Sequence, residues 1–144
     1  MKILIISYHF PPLNVIASIR ASSYAKYLHQ SKIKPTIITH NWEDVNKYSK
    51  EVNNNYLAHK LPFKKNDNFI FRIPKIGVFI KWIFGFLDPA NGTINSYYRM
   101  RKFIFNHLKT NEYDLVIGIF SPHYHLKLCY EIYKKFKLPY VLDL

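Results

Sequence analysis

The feature that most constrains the fold lies in the first twelve residues. Ile3-Leu4-Ile5-Ile6 is an unbroken apolar run, and it stops at Ser7-Tyr8-His9-Phe10 and the pair Pro11-Pro12. A run that is apolar at every position, not every second one, suits a strand covered on both faces. Proline has no N–H to give a ladder, so the strand ends before Pro11. A strand at the N-terminus, then a loop, then a helix, is how doubly wound α/β domains begin. Ligands of such sheets sit beyond the carboxyl ends of the strands. The loop from Ser7 to Arg20 is therefore the first place to look for chemistry.

The rest of the chain fits that beginning. Ala17, Ala21, Tyr24, Ala25 and Leu28 recur at three- and four-residue spacing, which predicts a helix over 17–30. Pro35-Thr36-Ile37-Ile38-Thr39 reads as a second strand. A right-handed crossover makes it parallel to the first. Residues 41–68 read as a polar surface loop, with a short helix near 45–52. Phe69-Ile70-Phe71-Arg72-Ile73 reads as a strand closed by Pro74, and Ile76 to Leu87 as helical. A helix over 94–109 turns Ile94, Tyr97, Tyr98, Met100, Arg101, Ile104, Phe105 and Leu108 inward. Asp114 to Phe120 is a further strand. Ser121-Pro122 then starts a helix that runs to about Phe136. Its stripe is Leu126, Cys129, Tyr130, Tyr133 and Phe136, and a last strand covers 138–144. The expected fold class is α/β, a Rossmann-like doubly wound parallel sheet.

Composition narrows the function. At 144 residues, 49% of them hydrophobic, the chain suits one domain with a core. Its single cysteine, Cys129, excludes an internal disulfide and a multi-cysteine zinc site. Ile3 to Ile6 falls short of the roughly 7–15 apolar residues of a secretory leader. Ile76 to Leu87 contains Lys81 and falls short of the about 20 residues that span a bilayer. A cytoplasmic protein is expected. A net charge of +12 points to an anionic partner, or to a surface merely rich in lysine.

Three segments carry a resemblance: Ile6-Ser7-Tyr8-His9-Phe10-Pro11-Pro12-Leu13-Asn14 with Ile16-Ala17-Ser18-Ile19-Arg20 and Ala25-Lys26-Tyr27-Leu28; Tyr113-Asp114-Leu115-Val116-Ile117 running into Ser121-Pro122; and Leu138-Pro139-Tyr140-Val141-Leu142-Asp143-Leu144. In this order they resemble the N-terminal lobe of family 4 glycosyltransferases, most weakly over 41–90. The resemblance implies a GT-B enzyme, two Rossmann-like lobes facing across a cleft. Residues 1–144 would be the acceptor-binding lobe, three layers deep (αβα). A C-terminal lobe outside them would hold the nucleotide-sugar co-substrate and a paired-glutamate motif. No metal or resident cofactor is implied. The expected acceptor is a cell-envelope glycan or lipid-linked glycan, with transfer inactive until the second lobe joins.

Candidate site residues follow from the loops. Arg20, in the first turn of the first helix, can hold a phosphate or carboxylate bidentately; otherwise it pairs with an acid at the core edge. Asn14 and Ala17 would line the cleft. The resemblance implies a glycine near Ala17 in many relatives, and alanine narrows the approach to the backbone. Ser121 and His123 are the catalytic candidates, with exposed polar residues at a helix start as the alternative. The helix dipole there disfavours the charged imidazole and keeps it a proton acceptor. His123 and His125, two residues apart, point about 200° apart on a helix and do not share a metal. His9 and Asp143, at strand ends, are candidates to bind substrate or to complete local packing.

Lys60 to Leu87 intersperses lysines with large apolar residues. Lys75, Phe79, Lys81 and Trp82 are the candidates for docking on an anionic membrane face, against a core helix with solvated lysines. A basic nucleic-acid-binding module is the competing class. Most aromatics fall on stripes expected to be buried, and no nucleic-acid motif occurs. A third class is a non-catalytic remnant or a subunit that needs a partner.

Overall fold

A computed structural model of the chain describes residues 1–63, 93–120 and 124–144. The expected strand at 69–73, the helical stretch 76–87 and the docking candidates Lys75, Phe79, Lys81 and Trp82 lie outside the described residues. So do Ser121 and His123.

The described elements, in chain order, are β1 (Ile3–Ile6), α1 (Ile16–Gln30), β2 (Thr36–His40), β3 (Ser49–Val52), β4 (Leu57–Leu61), α2 (Thr93–His107), β5 (Leu115–Ile119), α3 (Tyr124–Phe136) and β6 (Tyr140–Asp143). They form one sheet in the order β3-β4-β2-β1-β5-β6. All neighbours are parallel except β3, which runs antiparallel to β4 at the edge. The class is α/β and Rossmann-like, as expected, with one antiparallel strand added.

The register explains why β1 is apolar throughout. Ile5 lies opposite Ile37 and Ile117, while Leu4 lies opposite Thr36 and Val116. Successive side chains therefore enter two different cores. Leu4, Ile6, Ile38 and Val116 pack against Tyr97, Met100 and Ile104 of α2 and Tyr124, Leu128, Cys129 and Ile132 of α3. Ile3, Ile5, Ile37, Ala58, Ile117 and Ile119 pack against Phe10 and against Ala21 and Ala25 of α1. The result is three layers. Gly118 lets α3 sit close to β5, because a Cβ there would lie 2.5 Å from Cys129 Sγ.

Residues 41–61 correct the sequence reading. They contain no helix near 45–52; they form a tight loop and then the β3–β4 hairpin. The polar residues that made the stretch look like a surface loop are partnered. Asn41 closes the loop by accepting from the Glu43 and Asp44 amides and donating to the Lys47 carbonyl at 2.8 Å. Lys60 is buried with its Nζ 2.7 Å from Glu51 Oε2 and 3.3 Å from Glu43 Oε1. His59 shares a 2.8 Å hydrogen bond with Tyr48.

The α3 stripe also differs. Tyr124, His125, Leu128, Cys129 and Ile132 are buried, whereas Tyr130 and Tyr133 are exposed. Counting from Leu126 placed the stripe wrongly, because the polar tips of Tyr124 and His125 find partners inside. On α2, Tyr98 is exposed, and Arg101 turns sideways to donate to Glu131 of α3 at 2.6 Å.

Candidate functional site

The sheet has a switch point between β1 and β5. From β1 the chain crosses through α1 to β2 on one side, and from β5 through α3 to β6 on the other. The two crossovers use opposite faces, which opens a crevice at the carboxyl ends of the strands. Ser7 to Asn14, Asn41 to Glu43 and Phe120 follow those ends.

On the α1 face, Arg20 and Asp143 meet as an ion pair. Arg20 also donates to the Leu144 carbonyl at 3.1 Å. Side-chain exposure is 38% for Arg20 and 15% for Asp143, so the pair lies at the rim. Asp143 Oδ2 is buried without a hydrogen-bond partner among the described residues. Arg20 thus takes both readings offered by its sequence: it sits at the helix start beside the crevice, and it pairs with an acid.

The start of α1 is uncapped by any side chain. Val15 is the N-cap, no acidic residue occupies the first turn, and the Ser18 and Ile19 amides both turn to the Val15 carbonyl. The positive end of the helix dipole therefore faces the crevice uncompensated. Asn14 is exposed and Ala17 half-buried. Ser18 is fully buried, and its Oγ finds no partner among the described residues.

On the other face, around Tyr8, stands a polar-aromatic cluster that sequence reasoning missed. The Tyr8 carbonyl accepts from Trp42 Nε1 at 2.9 Å and from Thr39 Oγ1 at 3.3 Å, which fixes the turn after β1. His9 stacks on Trp42 at 5.8 Å, and its Nδ1 is buried without a partner among the described residues. Burial lowers the His9 pKa. Ser96 Oγ hydrogen-bonds both His40 Nε2 and, at 2.6 Å, the Tyr124 hydroxyl. Burial, reinforced by the neighbouring His125, takes the His40 pKa to about 3. His125 Nδ1 donates to the Ile119 carbonyl at 2.8 Å, which leaves Nε2 as a bare acceptor. Burial takes its pKa to about 4, so it stays neutral. The Tyr8 phenol is pushed up to about 12, also by burial.

One signal pointed to this cluster. His40 ends β2, the strand beside β1, and Asn41-Trp42 follow it, so these residues had to join those of the first loop. Ser96 carried no such signal, because only the packing of α2 brings it there.

At the opposite, amino edge, an open cavity of about 640 Å³ is lined by Lys2, Lys34, Thr36, His107, Lys109 and Tyr113, among others. Among the described residues no cluster of three or more His, Cys, Asp or Glu is placed to hold a metal. No described helix is long and apolar enough to cross a membrane.

No family model and no curated protein matches the chain. Two solved structures of the C-terminal domain of a hydrogenase from Pyrococcus furiosus resemble it at 17% and 15% identity. Their TM-scores are 0.53 and 0.54, and the match covers 99% of this chain and 90% of each domain. At that identity they bear on the fold alone. A third structure, described as trehalose-6-phosphate from E. coli bound with UDP-2-fluoro glucose, has 12% identity and a TM-score of 0.45. It covers 94% of this chain and 30% of that one, an overlap too loose to bear on function. The sheet order makes this a Rossmann-like α/β domain, the class that β1 and its loop announce, and the two hydrogenase-domain structures share the fold alone.

Proposed function

We propose that the chain is the acceptor-binding lobe of a GT-B sugar transferase, with the carboxyl edge of its sheet as one wall of the cleft. The observation that carries this reading is the set of unpaired polar atoms at the switch point. Among the described residues Asp143 Oδ2 and Ser18 Oγ, on the α1 face beside the uncapped helix start and Arg20, and His9 Nδ1 and His125 Nε2, on the other face, are buried without hydrogen-bond partners. Buried polar groups are rarely left unsatisfied unless something else satisfies them. A sugar presents hydroxyls that both donate and accept, and a phosphate suits the helix start and the guanidinium. The neutral imidazoles of His9 and His125 are acceptors suited to hydroxyl groups. The nucleotide sugar would be held mainly by a second lobe, and the sequence resemblance to family 4 glycosyltransferases favours the same assignment. Ser121 and His123 remain the proposed catalytic pair.

The reading is tested by pairing the chain with a donor-binding lobe and measuring sugar transfer. Arg20→Ala is expected to reduce turnover with the circular dichroism spectrum unchanged, and unchanged turnover removes Arg20 from the site.

A second reading, a subunit that needs a partner, draws on exposed apolar residues around α1 and β6. Ile16 is 78% exposed, Ile19 54%, Val141 52% and Leu144 75%. Such a patch suits a protein neighbour. The two readings agree if that neighbour is the second lobe.

A further inference from the structure

Away from the crevice, α2 and α3 lie side by side over the sheet and share an outer surface. Together they carry six lysines and arginines against one acid, Glu131. That acid is already engaged, accepting from Arg101 at 2.6 Å and from the Tyr97 hydroxyl at 2.7 Å. It belongs to the seam between the helices. Arg99, Lys102, Lys127, Lys134 and Lys135 are exposed, as is Lys137 just past α3. Between them stand three tyrosines: Tyr98 is 57% exposed, Tyr130 53% and Tyr133 46%. The apolar stripes of both helices are spent on the sheet, through Met100, Ile104, Leu128 and Ile132. The face therefore cannot insert as an amphipathic helix does. It can only rest on a surface.

We propose that the outer α2–α3 face docks this protein on an anionic lipid surface. A cluster of about 4–8 cations on a helical face is what anionic headgroups attract. Tyrosine, apolar in body and polar at its tip, sits well at the headgroup level, and lysine lays its stem on the surface with its charge in water. A nucleic acid is the less fitting occupant. Of the exposed tyrosines, Tyr98 packs edge-on against buried Tyr97, and Tyr133 packs against Tyr140 and under Lys137, which leaves few open ring faces on which successive bases could stack. The proposal does not depend on the sugar-transfer reading, and it concerns residues distinct from Lys75, Phe79, Lys81 and Trp82.

The test is cosedimentation with vesicles, using the full chain. Vesicles of phosphatidylcholine alone are compared with equal parts of phosphatidylcholine and phosphatidylglycerol. Binding is expected to the mixed vesicles only and to weaken with added salt. Lys102→Gln/Lys127→Gln/Lys134→Gln is expected to weaken it by about fivefold per lysine. Lys26→Gln/Lys32→Gln/Lys47→Gln, which removes the same charge elsewhere, should change it far less. If the first triple variant fails to fold, Tyr130→Ser/Tyr133→Ser on a folded chain still reads the face, and a clear loss of binding is expected. Equal losses in the two triple variants, or binding that ignores phosphatidylglycerol, overturn the proposal. So does retention of an oligonucleotide through the same three lysines while vesicles stay unbound.

Discussion

The two faces of the sheet are built differently. Over one, α2 and α3 pack large side chains, with Tyr97, Met100, Ile104, Tyr124, Leu128 and Ile132 all buried. Over the other, α1 buries only Ser18, Ala21 and Ala25 and turns Ile16, Ile19 and Tyr27 to solvent. Among the described residues, the first face buries the larger helix side chains. The second is thinner: Phe10 and the isoleucines of the sheet fill its core, while Ile16, Ile19, the uncapped helix start and the Arg20–Asp143 pair lie at the surface. The start of α1 is thus the helix end with polar and apolar groups left at the crevice.

The sharpest way to break the comparison is truncation. Leu128→Ala, on the thick face, is expected to cost about 2–5 kcal/mol. Ala25→Gly, on the thin face, should cost only about 0.5–1 kcal/mol. Urea unfolding reads both, and equal losses would undo the contrast. Next is Gly118→Ala, which forces a Cβ onto Cys129 and should cost about 1–3 kcal/mol through overpacking. Cys129→Ala added to it should recover part of that loss, since it removes the sulfur 2.5 Å from the new atom. Tyr124→Phe removes the hydroxyl that Ser96 bonds at 2.6 Å. It should cost about 1–3 kcal/mol, the range for a buried partner left unmade.

Acid sharpens the comparison further. His40 (pKa about 3) and His125 (about 4) belong to the thick face, and each is depressed from its ordinary value of 6.5 mainly by burial. The folded chain therefore refuses protons that the unfolded chain accepts. Stability should be full above pH 6.5, fall as the pH drops towards 4, and flatten once the folded imidazoles charge. His59, at about 4 for the same reason, acts in the same direction. Thermal melts from pH 7 down to pH 4 read the slope, and His40→Asn should make it shallower. The smallest effect is expected at the rim. Arg20→Gln breaks a partly exposed ion pair and should move stability by less than about 1 kcal/mol.

Much of the frame was legible in the sequence, for a physical reason. A strand buried on both faces must be apolar at every residue, and β1 and β5 are. Strands of that kind, alternating with helical stripes, leave few topologies open. The β3–β4 hairpin was not legible because its lysine and histidine looked solvated. Only the fold shows that Lys60 meets Glu43 and Glu51 and that His59 meets Tyr48. The same blindness moved the α3 stripe, where Tyr124 and His125 are inside. For the site, the sequence placed Arg20, Asp143 and His9 at the carboxyl edge. It could not foresee that Ser96, from a helix more than fifty residues away, would reach His40.

The account rests on the carboxyl edge being where small molecules bind. The direct measurement is a titration of the labelled chain with a sugar phosphate, following the backbone amide resonances. Shifts are expected at Ile16, Ala17, Ser18, Arg20 and Asp143, and they should vanish in Arg20→Gln. Shifts confined instead to Lys2, Lys34 and Lys109, around the cavity at the amino edge, would contradict it.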